Sequence, residues 1–363
     1  MKNTFGNSIS VTLFGESHGA AIGAVVDGLA SGIEIDREYI KERLNERRPA
    51  GAVSTSRVES DEYEILSGAF NGKTTGTPLT IIIRNTNTKS KDYSSLLDMP
   101  RPSHADYTAS VKYHGYQDYR GGGHFSGRVT AALVAVGAII RSALEKKGIY
   151  IGTHIKNLHG ISDRDFENYR KDIEALKGTT IPVLSEESRT KMETEILSAR
   201  ANGDSVGGTL ESAIIGIPAG VGEPWFDTVE GILAHALFSV PGIKGVEFGS
   251  GFAMADMLGS EANDDFATDG KQIFTKTNNN GGINGGITNG MPLIFRCAVK
   301  PTPSIFKPQG TVSLSAMKEE TLVIEGRHDP AIIHRARAVV DAVSAIAVAD
   351  MLAVKYGTDW LGE

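Results

Sequence analysis

Apolar and polar positions alternate along residues 9–14, and residues 21–26 are apolar and rich in β-branched side chains, so the chain opens on two strands. Asp36 then reads as an N-cap for a helix through Ile40 and Leu44 that Pro49 stops. Strand patterns follow at residues 62–66 and 79–83. Ser103, with Asp106 three residues on, resembles a capping box for a short helix to Tyr113. Val129, Leu133, Val136, Ile140 and Leu144 recur at helical spacing over residues 127–147, and Gly148 ends that helix.

The second half continues the mixture. Strands are expected at residues 149–158, 210–217, Ile243–Phe248, Leu293–Val299 and 321–324, and helices at 186–202 and 229–240. Residues 277–290 form a loop of glycine and asparagine. A long helix is expected from Pro330 to about Lys355, with Ile332, Ala336, Val339, Val343, Ile346 and Leu352 on its buried side. Strands and helices interleave throughout, so the class is α/β in the broad sense. Neither a linker nor a break in composition divides the chain, which favours one domain over residues 1–363.

Composition narrows the function. With 40% hydrophobic and 22% charged residues the chain falls among ordinary globular proteins. No apolar run approaches the roughly 20 residues of a spanning segment, and the first ten residues lack an apolar signal core, so a cytoplasmic protein is expected. The single cysteine, Cys297, excludes an internal disulfide and a cysteine-based zinc cluster, and its place in a strand-like run marks an inert buried thiol. A net charge of −7 argues against nucleic-acid binding, which draws on basic surface. Forty-two glycines exceed the usual share of about 7% and concentrate in particular loops, where they serve tight turns or backbone that approaches a ligand closely.

Three familiar signatures fall short. Residues 68–74, Gly-Ala-Phe-Asn-Gly-Lys-Thr, are one residue short of a phosphate-binding P-loop and lead into Thr75-Gly76-Thr77-Pro78 instead of a helix, so a turn between strands fits better. Residues 15–19, Gly-Glu-Ser-His-Gly, match a hydrolase nucleophile elbow and follow a strand, which makes a serine hydrolase acting through Ser17 the rival enzyme. An elbow feeds a helix, however, and residues 20–26 read as strand. Residues 121–127 evoke a dinucleotide fingerprint but have the wrong spacing and no preceding strand. Metal spacings are absent from the sequence, and His154 and His159 read as core or surface histidines.

What remains is a series of polar clusters at element boundaries. They are Glu16-Ser17-His18, Arg47-Arg48-Pro49 with Arg57, Arg101 to Thr108, Asp118 to Arg128, and Gly326-Arg327-His328-Asp329-Pro330. Each has a plain structural role available: Ser126 and Asp329 as N-caps, Pro330 as a first helical residue, Arg47 as a C-terminal helix cation. Several arginine-and-histidine clusters in an acidic chain nonetheless suit a cationic cleft for a small substrate with several negative charges, drawn to helix starts.

In order and spacing these segments resemble the signature stretches of the chorismate synthase family over nearly the whole chain. The Gly-Glu-Ser-His-Gly start, Arg101-Pro102 through Thr108, Asp118 through Gly123, Lys300-Pro301-Thr302-Pro303-Ser304 and Arg327 through Pro330 carry the likeness. The resemblance implies a β-α-β sandwich with helices between two antiparallel sheets, assembled as a homotetramer. It implies anti 1,4-elimination of phosphate from 5-enolpyruvylshikimate 3-phosphate to give chorismate, the last common step toward the aromatic amino acids. It further implies a requirement for reduced FMN without net redox change, the flavin N5 taking the proton from substrate C6. The two carboxylates and phosphate of the substrate would account for the arginines.

Residue by residue, the resemblance gives His18 as acid toward the departing phosphate. His104 would stand against flavin N1 as an imidazolium. Asp329, Ser17 and Ser126 would manage the proton at N5. Flavin contacts would come from His124, Phe125, Ser126, Pro241, Gly242, Gly285, Lys300, Pro301, Thr302, Pro303, Ser304 and Arg327. Arg47, Arg48, Arg128 and Arg327 would hold substrate anions, with Arg47 also facing a nicotinamide nucleotide. Two departures stand out: His124 and Phe125 replace the Arg-Ser that many relatives carry after the triple glycine, and Gly51, Ala52 and Val53 supply no basic residue after Arg-Arg-Pro. Whether NADPH reduces the flavin on this chain or a separate reductase does so stays open, and a flavin carrier without catalysis is the rival of another class.

Overall fold

The computed structural model describes residues 3–54, 61–86, 98–324 and 328–363. Two five-stranded antiparallel sheets form its outer layers. The first runs Thr4–Phe5, Ser10–Gly15, Ala21–Asp27, Leu79–Arg84, Tyr63–Ser67 in spatial order. The second runs Ile161–Ser162, Tyr150–Leu158, Gly208–Ile215, Leu293–Val299, Ile243–Phe248. In the first, Val11 faces Val26 across the ladder and Ile22 faces Ile83, and these side chains are buried toward the helices.

In chain order the helices are α1 (Arg37–Arg47), α2 (Asp106–Lys112), α3 (Thr130–Lys146), α4 (Tyr169–Ala175), α5 (Glu186–Ala201), α6 (Val229–Phe238), α7 (Gly259–Ala262) and α8 (Ile333–Tyr356). α3 lies against strands Ala21–Asp27 and Leu79–Arg84 of the first sheet. α8 lies on Tyr150–Leu158 and Gly208–Ile215 of the second, and the two helices pack on each other. Both are buried nearly all round, which their sequences require: apolar or small residues on every face have no side to give to water. Small residues also set the approach. At Gly137 an added Cβ would lie 2.5 Å from the Cβ of Ala342 on α8. The charges inside are matched: Arg141 donates to Asp341 at 3.0 Å, Thr153 donates to the same carboxylate at 2.6 Å, and Arg337 pairs with Glu46 at 3.1 Å. Further along α8, Asp350 accepts the N–H groups of Asn7, Ser8 and Ile9 at 2.9, 2.7 and 2.9 Å, so the last helix pins the start of the chain.

The helical stretch Gly127–Lys146 is long and apolar enough to cross a membrane, although Arg128 and Arg141 break up its apolar run in the sequence. Its apolar window is 89% buried inside the protein, as a core helix between sheets must be.

The expected strands and helices stand within a residue or two of their observed bounds, with four corrections. α8 begins at Ile333, not Pro330, with Ile332 as N-cap and no side-chain cap; Asp329 is engaged by Arg335 instead of by helix N–H groups. The strand expected at 321–324 is Lys318–Leu322, paired with Gln309–Ser313, because the polar Lys-Glu-Glu start hid its pattern. Ser103 caps nothing: Ala105 is the N-cap of α2, and the Asp106 carboxylate is taken by Arg101. Residues 277–290 contain a small hairpin, Ile283–Asn284 with Ile287–Thr288. The truncated P-loop is a hairpin turn, as expected, with Asn71 and Gly72 both at positive φ between strands Ala69–Phe70 and Lys73–Thr75.

Candidate functional site

The strand Ser10–Gly15 ends in the turn that carries Ser17 and His18, and the chain returns directly as the strand Ala21–Asp27. No helix follows Ser17, so the nucleophile-elbow geometry is missing. The glycine-rich segment Arg120–Phe125 closes over this turn instead. Gly123 O accepts from Ser17 N at 3.0 Å, and His124 Nδ1 donates to Gly15 O at 2.7 Å. Gly121, Gly122 and Gly123 all take positive φ. Gly121 needs its missing side chain: a Cβ there would sit 2.6 Å from His18 Nε2 and 3.0 Å from Ser17 Oγ. Asp118 braces the segment through a two-pronged pair with Arg120, both bonds 2.8 Å, and that bond holds its carboxyl below the usual range.

Ser126 caps the turn Gly127–Val129 that opens α3, accepting from Arg128 N at 3.3 Å. Arg47, from the last turn of α1, donates to both oxygens of Asp61 at 3.2 and 3.1 Å and to Gly127 O at 3.3 Å. Arg128 bonds the same Asp61 carboxylate, and its Nε donates to Asn85 Oδ1 at 3.2 Å. The Asn85 amide nitrogen donates at 2.9 Å to the carbonyls of Glu16 and Gly19, one on each side of Ser17 and His18.

On the opposite wall His104 Nε2 and Ser304 Oγ share a hydrogen bond of 2.8 Å, and Lys300 donates to Ser103 O at 2.6 Å. Burial, with help from the Arg101 cation, lowers the His104 pKa to about 4, so its imidazole is neutral near pH 7. Asp329 accepts from Arg335 Nη1 at 2.6 Å, and Arg335 Nε donates to Arg47 O at 2.9 Å, which ties the start of α8 to the end of α1.

These groups surround one cavity of about 1050 Å³. Ser17, Arg47, Arg48, His104, His124, Phe125, Ser126, Arg128 and Asp329 line it, as do Pro241, Gly242, Lys300, Thr302 and Pro303. His18 stands directly behind Gly121. Ser304 reaches the site through His104, and Pro301 continues the same segment. Deeper in, Leu133, Ile332, Val339 and Val343 make an apolar floor from α3 and α8. Thr302 Oγ1 and Gln117 Oε1 are buried in the wall with no hydrogen-bond partner among the described residues. Gly285 is apart: it sits in the turn of the hairpin at 283–288, outside the cavity wall of this chain. Arg57 and Arg327 lie outside the described residues.

His154, His159 and the cysteine keep to plain roles. His154 is a core residue between Asp163 (3.0 Å) and Glu211 (3.2 Å), and His159 is a surface residue beside Glu195. Burial pushes the Cys297 thiol up to about 12, which makes it inert. Sequence reasoning passed over Asp61, Asn85 and Arg335. Asp61 opens a run of acidic residues before a strand and Asn85 follows one, so nothing local separates them from solvated loop residues.

The comparisons with known proteins agree with one another. The family model described as chorismate synthase matches residues 9–353. The chorismate synthase of Thermococcus gammatolerans is 47% identical over 96% of both chains, and that of Methanobrevibacter smithii is 45% identical, again over 96% of each. A crystal structure of a chorismate synthase superposes with a TM-score of 0.75 at 30% identity, covering 98% of this chain and 94% of that one. Matches at this level span nearly the whole length, and this chain belongs to the chorismate synthase family.

Proposed function

We propose that the lyase reaction carried out in this cavity is the anti 1,4-elimination of phosphate from 5-enolpyruvylshikimate 3-phosphate, with reduced FMN as the required cofactor. The observation that supports it best is the meeting of Ser17, Ser126, His104, Asp329, Arg47 and Arg128 around one cavity with an apolar floor, with His18 packed against Gly121 of its wall. A substrate with two carboxylates and a phosphate matches the cationic wall. The residues also suit a flavin: the floor made by Leu133, Ile332 and Val339 suits a flat ring, and the unpartnered Thr302 Oγ1 and Gln117 Oε1 await polar groups that a ligand would bring. His124, Phe125, Ser126, Pro241, Gly242 and the segment Lys300 to Ser304 would hold it. What reduced FMN supplies there is electron density for the electron-poor carbon skeleton as phosphate leaves.

The side chains divide the remaining work. Arg47, Arg48 and Arg128 bind and orient the anions. His18, fixed by Gly121 and the Asn85 bridge, donates its proton to the departing phosphate. His104, neutral in the free protein, gains its proton only beside an anionic partner, so binding of the reduced ring and protonation of His104 are linked. Asp329, with Ser17 and Ser126, handles the proton that leaves the substrate.

Beyond the site, the chain acts as a single domain over residues 1–363, supported by one continuous core that takes in both sheets and the helices between them. Assembly into a homotetramer is supported by the exposure of Trp225, Phe226, Phe252, Phe266 and Ile273. The setting is cytoplasmic, and NADPH is a candidate reductant for the flavin. The test is an anaerobic assay of phosphate release from the enolpyruvyl substrate with chemically reduced FMN. Phosphate and chorismate should appear in equal amounts; flavin binding without phosphate release overturns the reading in favour of a flavin carrier. Repeating the assay with NADPH as sole reductant separates a self-reducing enzyme from one that needs a reductase.

A further inference from the structure

We infer that Asp61 is a positioning residue for this site: its carboxylate holds the Arg47 and Arg128 guanidinium groups side by side and sets the charge that this end of the cavity presents to an anion. The inference rests on the substrate reading above only for the identity of that anion.

The two arginines come from separate elements, one from the end of α1 and one from the turn that opens α3. Both guanidinium groups bond the same buried carboxylate, whose side chain is only 2% exposed. Two like charges brought together away from water repel strongly, and a shared counter-charge is what lets them stay adjacent. Their other bonds fix direction. Arg47 is held to Gly127 O, and Arg128 to Asn85, whose amide grips the turn on both sides of Ser17 and His18. Asp61 therefore anchors a chain of contacts that runs from the anion-binding arginines to the proposed acid. It lines the cavity too, so its charge is felt by whatever enters.

The test uses the full chain carrying Asp61→Asn, which keeps the shape but raises the local charge by one, and Asp61→Glu, which keeps the charge but moves it. Melting midpoints are read with and without inorganic phosphate, and anaerobic turnover is read as separate kcat and KM values. For Asp61→Asn, the phosphate concentration that gives half the stabilisation should drop about tenfold, since one more positive charge faces the anion. Its kcat should fall about tenfold or more with no rise in KM, because the arginines still attract substrate but hold it off-line. Asp61→Glu should respond to phosphate as the wild type does, with a kcat between the other two. A purely structural Asp61 would lower the melting midpoint while leaving phosphate response and kcat per folded molecule unchanged, and that result overturns the inference. Should Asp61→Asn fail to fold, an undiminished kcat in Asp61→Glu does the same. A wild type that releases no phosphate sinks the substrate reading instead, and the phosphate response then decides the role of Asp61 alone.

Discussion

Gly121 rests against the imidazole of His18 so closely that a single added carbon would stand 2.6 Å from Nε2. Gly121→Ala must therefore strain its own left-handed backbone by about 1–2 kcal/mol and push His18 or the glycine segment aside. Displacement of a reacting group by about 1 Å can cost about 10²-fold in rate. Turnover of Gly121→Ala should fall by that order, with the overall fold intact by circular dichroism. A variant with wild-type kcat would show that His18 does not need its present place.

His18 itself can be tested as an acid. Removing a general acid typically costs about 10²-fold or more, so His18→Ala should lose at least that in phosphate release while still binding substrate. Equilibrium binding separates the two effects. Near-wild-type turnover removes His18 from the proton donor's role.

At the start of α8, Asp329 is bonded to Arg335 and caps no helix. Asp329→Asn keeps the volume and loses the ion pair. A partly exposed pair is worth up to about 1 kcal/mol, so the melting midpoint should move by no more than about 2–4 °C. If Asp329 handles the substrate proton, activity should fall far more than stability, about 10²-fold. Equal losses in both would leave it a structural partner of Arg335.

Acid should weaken the fold through two histidines. Burial holds His104 at about 4 and His334 at about 3, both below the ordinary value of about 6.5. Between those values the unfolded chain binds more protons than the folded one, so their contribution is fully present above about pH 6.5 and fades as pH falls toward 4 and 3. Urea midpoints measured from pH 7.5 down to 4.5 should fall. Replacing His104 by Gln should flatten that slope. A midpoint that rises on acidification contradicts the assignment.

Gly137 tests the packing of the buried helices. Gly137→Ala places a methyl 2.5 Å from the Cβ of Ala342, so α3 and α8 must part. Overpacking of this kind costs about 1–3 kcal/mol. The urea midpoint should drop accordingly while activity per folded molecule is kept; no change in stability would mean the helices have slack.

Much of this was legible in the chain itself, because strands and buried helices announce themselves through local periodicity. Residues 127–147 read correctly as a helix since every turn brought an apolar side chain to the same face. Residues from separate boundary clusters, His104, Arg47, Arg128 and Asp329, line one cavity, and His18 packs against Gly121 of its wall. What stayed hidden depends on contacts between distant segments. Asp329 looked like a cap because the sequence shows Pro330 beside it and does not show Arg335 reaching back. Asp61 and Asn85 matter only because arginines from elsewhere land on them. The need for glycine at 121 is visible only once the turn at Ser17 and His18 lies beneath it.

The grip of Asp350 on residues 7–9 has a bearing on how the molecule is made. The segment that begins the first sheet, and leads into the turn bearing Ser17 and His18, waits for an anchor that lies 341 residues beyond Ile9. At roughly 5–20 residues per second of synthesis, that wait lasts some tens of seconds. That edge of the first sheet thus stays open until α8 has been made, so closing it is a late step of folding.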